Sequence, residues 1–600
     1  MTALEYHEAT KHYFNRFARS TGYLDWATQP DPFRRFPGAA LRQLPRDPVA
    51  ASVPYDSLFD GSAPPLPFDL GTVAELLRCA MGLSAWKQYQ SNRWALRVNP
   101  SSGNLHPTEA YIVWNGRVCH YASREHALEE RCVFAGRGLL APADQAAGRI
   151  PLEPASNDQR LLVGLTSIFW REAWKYGERA FRYCQHDLGH AIGAMRLSAA
   201  RLGWQMQLLT DWSDADIASL LGVDRADDFA NAEREFAECV ALITKATPSP
   251  IGPGSRSADA RPEDPAYQRG IPQDPADEVD RYARERLIES ARRGTWSGRA
   301  NRLSGGHVEW PVIDAVASAT TCPGGVAGAD GAGLAVGEVF SAGIESDRAT
   351  PAWPTLPARR LLLQRRSAVG FDGRSTLPLA AFGAMLSRLR PSRCPWDSLP
   401  WPPHVHLALF VHRVDGLPPG IYAFLRDPSA AAEWRSAMRP QFIWEAVAAT
   451  AGALYDGELH FLLPFDMTWP ATRVSCDQDI AGEGFFSLAM IGRVGSSLRT
   501  RGDWFYRRLF WEAGLIGQVL YLEAEAAGAR GTGIGCYYDD AVHELLGLKS
   551  ATDESRGASE FDARHAEWQS LYHFSMGQPV DDTRLSTEAG YEWERDPLPN

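Results

Sequence analysis

The stretch GHAIGAMRLSAARLGWQMQLLTDWSDADIASLLG, residues 189–222, lines up without a gap on GLIGQVLYLEAEAAGARGTGIGCYYDDAVHELLG, residues 514–547. At this single offset of 325 positions, eight of the 34 aligned residues are identical: Gly189/Gly514, Leu197/Leu522, Ala199/Ala524, Gly203/Gly528, Asp214/Asp539, Leu220/Leu545, Leu221/Leu546 and Gly222/Gly547. Helical spacing of apolar residues runs into the first copy through Leu188, Ile192, Met195, Ala199 and Leu202. Identities at one offset with the pattern kept favour duplication over chance. Two copies in one chain are most simply a fused dimer, in which each half supplies the face the other needs.

The rest of the composition bounds what such a chain does. Six hundred residues exceed a single hydrophobic core and suggest about two to five units. With 45% hydrophobic and 22% charged residues, a formal net charge of -12 and a pI near 5.7, the chain is ordinary globular and carries no global basic field for nucleic acid or anionic membrane. Nine cysteines (79, 119, 132, 184, 239, 322, 394, 476 and 536) are never spaced Cys-x-x-Cys, which argues against a disulfide framework and against a structural zinc site. A reducing, cytoplasmic setting fits best. The start, Met1 to His7, is polar and acidic, and no run approaches 18 apolar residues.

In order, residues 1–60 carry aromatic and proline punctuation and read as an extended arm. A first unit spans 61–245: a helical pattern from Asp69 (Val73, Leu76, Leu77, Ala80), a turn and strand around Arg97 to Trp114, a buried strand at Leu161–Leu165, one long helix or two short ones from Glu172 to about Gly203, and a closing strand at Phe236–Ile243. Residues 246–355, rich in Pro, Gly, Asp and Ser, read as a connector with one polar helix near 275–293. A second unit, 356–585, has a helix start at Leu361, strands at His406–Val411 and Leu459–Leu463, a long helix from Arg507 to Gly528 and a terminal strand at Leu571–Gly577, before a tail at 586–600.

The two copies differ where chemistry is expected. Only the first has Arg97-Val98-Asn99-Pro100-Ser101-Ser102-Gly103-Asn104, a turn dense in hydroxyl, amide and backbone donors; the second keeps at best Pro391-Ser392-Arg393. Only the second has Gly531-Thr532-Gly533-Ile534-Gly535-Cys536, which reads as a glycine loop, where the first has Met206 to Asp211. A third fragment, Arg365-Arg366-Ser367, supplies permanent charge and donors suited to a phosphate. Each half therefore holds a different fragment of one site. His186 and His190, at i and i+4, lack an acidic third ligand and read as helix-face histidines, so no metal site is expected. No Gly-x-Gly-x-x-Gly convincingly follows a strand, so a Rossmann nucleotide site is unsupported.

Jointly these fragments, with Trp174 to Tyr183, Tyr537-Tyr538-Asp539-Asp540 and Leu571 to Arg584, resemble the FMN-dependent nitroreductase superfamily, and most closely its SagB/ThcOx-type dehydrogenase branch in tandem form. The resemblance implies an α+β fold, two nitroreductase-like domains forming an intramolecular pseudo-dimer with FMN at the interface. It implies that Arg365, Arg366 and Ser367 hold the phosphate and ribityl chain, with Arg584 a further candidate. Pro100, Ser101, Ser102 and Asn104 would cross onto the isoalloxazine, the backbone at Gly535 and Cys536 would face its N5 edge, and Arg97, Gly103, Gly533 and Ile534 are further cofactor-binding candidates. Because the complementary pieces survive for one site only, one FMN per chain is expected. Lys175 and Tyr176 match the lysine and tyrosine pair of the azoline-oxidising members and are the catalytic candidates, Lys175 as the base. The implied partner is a small-molecule or peptide-linked substrate, with further homodimerisation or a biosynthetic partner protein open. A NAD(P)H-fed nitro or quinone reductase and a non-catalytic scaffold are the alternatives.

Overall fold

The computed structural model describes residues 1–49, 52–134, 160–245, 275–325, 356–391, 394–447, 458–548 and 567–594. Two antiparallel sheets dominate it, with the same order over six strands and a different first edge strand, which comes from the N-terminal arm in one and from within the second half in the other. From edge to edge the first runs Ala40–Gln43, Ala127–Val133, Arg117–Ala122, Thr108–Trp114, Arg160–Ser167, Phe236–Lys245, Trp204–Leu208. The second runs Glu445–Ala446, Leu459–Pro464, Gly420–Phe424, Val405–Val411, Phe486–Arg493, Trp568–Gly577, Arg530–Ile534. The first hairpin is set by Asn115-Gly116, both at positive φ, the two-residue turn whose twist matches the flanking strands.

The offset of 325 read from the sequence is also the offset of the structure. Helix α1 (Ala180–Arg201) and helix α2 (Phe505–Ala526) are each 22 residues long and stand 325 apart, as do the shorter helices Asp214–Leu221 and Asp539–Leu546, both ended by a left-handed glycine. Helices α1 and α2 pack on each other between the sheets, and the duplicated glycines are the reason they can: a Cβ on Gly189 would lie 2.9 Å from the Gly514 Cα and closer still to the Trp511 carbonyl. One continuous apolar core follows, running from Leu188, Ile192 and Met195 of α1 to Leu515, Val519 and Leu520 of α2.

Several elements differ from the sequence reading. The segment from Glu172 is two helices, Phe169–Tyr176 and α1, broken at Gly177, which takes a positive φ. The supposed glycine loop is the edge strand Arg530–Ile534; its glycines face rings, since a Cβ on Gly531 would collide with Phe574 and one on Gly533 with the Tyr572 hydroxyl. The N-terminal arm folds, with a helix at Ala3–Ala9 and an edge strand at Ala40–Gln43. The connector, where described, is packed: Leu287, Ile288 and Ala291 are buried with Leu220 and Leu221 of the first half, and a helix forms at Pro311–Ala319. Its residues 246–274 and 326–355 lie outside the described residues, as do Ser392 and Arg393. The tail also folds back: Ser586–Ala589 pairs with Leu83–Tyr89, which with Asn92–Arg97 makes a three-stranded sheet joining the chain's end to its first half. No helix among the described residues is long and apolar enough to cross a membrane.

Candidate functional site

The turn after Asn92–Arg97 is built before any ligand arrives. Gly103, Asn104 and His106 all have φ between 51° and 60°, a region that costs a non-glycine residue about 1 kcal/mol or more. Local bonds hold them there. The Asn104 amide donates to the Ala95 carbonyl at 2.8 Å, its Oδ1 meets His106 Nε2 at 2.9 Å, and the His106 backbone N–H donates to Ser101 Oγ at 2.8 Å. Burial and the cations Arg97 and Arg171 keep the His106 imidazole neutral, far below its ordinary pKa. From below, the Asp187 carboxylate of α1 accepts from Ser101 Oγ (2.6 Å), Ser102 Oγ (3.0 Å) and the Ser102 N–H. Burial pushes Asp187 up to about 7 against those hydrogen bonds. Glu172, buried beside it, is raised as well.

Facing this turn across a cavity of about 610 Å³ is the Arg365-Arg366-Ser367 segment of the second half. That volume lies within the ~300–1,000 Å³ range of ligand pockets. Both guanidiniums are tied to backbone carbonyls rather than to carboxylates: Arg365 to Val98 and Arg97, Arg366 to Ser84, Leu363 and Arg365. Arg365 Nη1 is buried with no partner. Burial, then Arg365 beside it, hold Arg366 down to about 10, and burial with Arg366 and Arg530 lowers Lys87. Crowded, desolvated cations with an unused buried donor are a site short of an anion. The floor is Tyr521 of α2, whose hydroxyl receives the Gly533 N–H (2.8 Å) and Ser367 Oγ (3.1 Å), next to Tyr572 and His190.

The predicted residues divide cleanly. Arg97, Pro100, Ser101, Ser102, Gly103, Asn104, Arg365, Arg366, Ser367 and Gly533 line this one cavity. Arg97 does so with its guanidinium turned away, toward the carbonyls of Pro32 and Thr108 and toward Glu109. Lys175 and Tyr176 stand behind the turn rather than in the cavity wall: a Cβ on Gly103 would come within 2.7 Å of the Tyr176 hydroxyl and 3.1 Å of Lys175 Nζ. Ile534, Gly535 and Cys536 do not line the cavity, because the strand carries them past Tyr183 toward the N-terminal arm. Arg584 is exposed and pairs with Asp582, two residues away. His186 and His190 are buried helix residues bonded to the Leu571 carbonyl and the Tyr572 hydroxyl.

At the pseudo-equivalent position every guanidinium nitrogen has a protein partner. Arg196, 325 residues before Tyr521, is paired with Asp397 and bonded to the Trp204 carbonyl, and the Trp204 indole is stacked on Phe68 at 4.0 Å. Asp187 escaped the sequence reading although its counterpart at the same offset, Glu512, holds the His404 and Val405 N–H groups in the second half as Asp187 holds Ser102. The conserved role is carried by an Asp in one copy and a Glu in the other, two residues ahead of the paired glycines. Tyr521 and Tyr572 gave no local signal at all.

Residues 65–231 match the nitroreductase family model. The matched segment takes in the Pro100–Asn104 turn and α1, so a nitroreductase-like match covers one wall of the cavity. A crystal structure of a candidate nitroreductase from Anabaena variabilis aligns with 96% of this chain and 99% of its own, with a TM-score of 0.59 and 18% identity. At that identity the likeness is one of fold, and it extends over both sheets. A candidate nitroreductase from Ralstonia eutropha JMP134 covers 38% of the chain and 97% of its own (15% identity, TM-score 0.24). The E. coli microcin synthetase McbBCD complex with truncated pro-MccB17 covers 34% of the chain and 71% of its own (18% identity, TM-score 0.22). No curated protein matches the sequence. The chain thus has a nitroreductase-like fold of mixed helix and sheet, and the family match supports an oxidoreductase.

Proposed function

We propose that the chain is an FMN-dependent oxidoreductase in which two nitroreductase-like halves, about 61–245 and 356–585, form an intramolecular pseudo-dimer around one flavin. The observation that carries this is the cavity in which the Pro100–Asn104 turn of one half meets the unpartnered Nη1 of Arg365 from the other. Arg365 and Arg366 would hold the phosphate, with Ser367 on the ribityl chain. The turn would meet the ring, on a floor of Tyr521 and Tyr572, with the Gly533 N–H holding the Tyr521 hydroxyl in place. The fully partnered Arg196 at the counterpart position supports one site per chain. The reaction we propose is two-electron dehydrogenation of an azoline-like or other heteroatom-bearing substrate, free or linked to a peptide, as the sequence resemblance implies.

FMN, when bound, supplies the two-electron acceptor for a hydride. The chain's residues do the rest. Arg365 and Arg366 would neutralise the phosphate, and Arg365 Nη1 would gain the partner it lacks. Asp187 and the left-handed residues Gly103, Asn104 and His106 fix the donors of the turn before any ligand binds. Lys175, with Tyr176 beside it, lines the far side of the turn rather than the cavity, and would take the proton from the carbon or nitrogen adjacent to the oxidised centre of a substrate that reaches past Gly103.

The test is to purify the full chain, measure flavin by absorbance against protein by amino-acid analysis, and mix the loaded protein with a thiazoline-bearing peptide and separately with NAD(P)H. One FMN per chain and oxidation of the thiazoline are expected. Two equivalents of FMN would overturn the single site, and rapid bleaching by NAD(P)H with an inert thiazoline would make it a reductase. A chain that takes up no flavin would be a scaffold.

A further inference from the structure

Outside the cavity, three soft donors from distant parts of the sequence converge. Cys476 Sγ lies 2.8 Å from Cys536 Sγ, and His12 Nδ1 lies 3.6 Å from Cys536 Sγ and 4.0 Å from Cys476 Sγ. All three donor atoms fall within 4.8 Å of one another. His12 comes from the arm, Cys476 follows the helix Thr468–Val474, and Cys536 follows the strand Arg530–Ile534.

The backbone is built to bring them together. The His12 N–H donates to Asp539 Oδ2 (2.9 Å) while the Asp539 N–H donates to the His12 carbonyl (3.2 Å), and Asp539 is itself gripped by Arg179 and Arg182. Gln478 bridges the two cysteine turns, donating to the carbonyls of Ser475 (2.7 Å) and Cys536 (3.0 Å). Cys476 and Asp477 both take a left-handed conformation, φ 54° and 57°, a strain that persists only where the surroundings impose it. His12 is buried and both thiols are half-buried, leaving one side of the cluster open to solvent.

We propose that His12, Cys476 and Cys536 bind a thiophilic closed-shell metal ion, zinc(II) or copper(I), that staples the N-terminal arm to the second sheet. Two thiolates and one imidazole form a neutral set for a divalent ion and favour soft metals over magnesium or calcium. Bond lengths of about 2.3 Å to sulfur and 2.0–2.1 Å to nitrogen place tetrahedral ligands about 3.6 Å (N to S) and 3.8 Å (S to S) apart. The N to S separations already match, and metal entry need only part the sulfurs by about 1 Å. Spacings of 464 and 60 residues hide such a set from any Cys-x-x-Cys search, which is why the sequence argued against a zinc site.

The experiment strips the reduced full-length chain with a chelator and titrates it with zinc(II), and separately with copper(I), against a chromogenic competitor. Cobalt(II) substitution reads thiolate ligation by its charge-transfer band. One equivalent of zinc or copper is expected, with affinity falling by more than about 100-fold in Cys476→Ser and in Cys536→Ser, since losses of about 10–100-fold already follow removal of outer-shell partners alone. Circular dichroism checks folding; should Cys536→Ser not fold, Cys476→Ser carries the test. Cys79→Ser, buried elsewhere, should bind as the parent does. Stoichiometric binding that survives in both single variants, absence of any tight ion, or a Cys476–Cys536 disulfide that persists in the reduced protein would each overturn the proposal.

Discussion

Replacing Arg365 by Met tests the proposed flavin site where its electrostatics are sharpest. The guanidinium has three separable duties: Nε and Nη2 bond the carbonyls of Val98 and Arg97, and Nη1 is buried with nothing to donate to. The first two duties brace the turn and act on any flavin; only the third, with the charge itself, acts on a phosphate. A hydrogen bond to a charged group contributes about 1.5–3 kcal/mol. At about 1.4 kcal/mol per tenfold this is roughly a 10- to 150-fold loss of FMN affinity beyond whatever the loosened turn costs. Riboflavin isolates that excess, because it shares the ring and ribityl chain and lacks the phosphate. Titrating parent and Arg365→Met with both ligands, by quenching of flavin fluorescence, closes a cycle whose interaction free energy is the phosphate's share. An equal loss for the two ligands, within about 0.5 kcal/mol, would refute the assignment of Arg365 to the phosphate.

Gly103→Ala should weaken flavin binding while both sheets still fold, because a left-handed alanine costs about 1–2 kcal/mol and its methyl meets the Tyr176 hydroxyl; retained affinity on titration would mean the turn is not a wall of the site. Lys175→Ala should load FMN as the parent does and lose about 100- to 10,000-fold in turnover of a thiazoline substrate, whereas wild-type turnover would exclude Lys175 as base. Asp187's own contribution to apoprotein stability should fall as pH rises from about 4 to about 7. Burial lifts Asp187 to about 7, so across that window the native state keeps a proton that the unfolded chain, titrating near ~3.9, has released. The stability of the parent relative to Asp187→Asn, from thermal unfolding, should therefore fall across that window, and a constant difference would place the titration elsewhere.

How much of this was legible beforehand follows from what each signal depends on. The duplicated helices were readable because close packing demands glycine at Gly189 and Gly514, a requirement that leaves identity behind. The turn was readable from its own composition, since a left-handed run needs Gly, Asn and a ring of local acceptors. Arg365 and Arg366 were visible as an adjacent pair. What stayed hidden depends on distance across the fold. Glycines 531, 533 and 535 are small because Phe574, Tyr572 and Tyr183 press on them, and from the sequence alone that looks like a loop. Cys536 reads as a cofactor contact because it belongs to the same glycine-rich run as Gly533, while its own side chain faces His12 and Cys476. The tail and part of the connector fold because remote surfaces receive them, which no local pattern records.

The pair Asp187 and Glu512 shows how two halves 325 residues apart share a frame while differing in detail. In each half a buried acid on the long helix takes backbone N–H groups of the segment that leads into the sheet. In the second half that acid is neutralised by Arg426, and the neighbourhood is closed by protein alone. In the first half Asp187 meets hydroxyls and an N–H instead of an arginine, and the turn it holds opens onto the cavity. Separate chains of a symmetric dimer cannot diverge in this way, because any substitution appears in both sites at once. Within one chain, Arg196 can be fully partnered in one place while Tyr521 and Gly533 line a cavity in the other. The cost of a poorly neutralised buried acid is then confined to the half where a preset turn is useful.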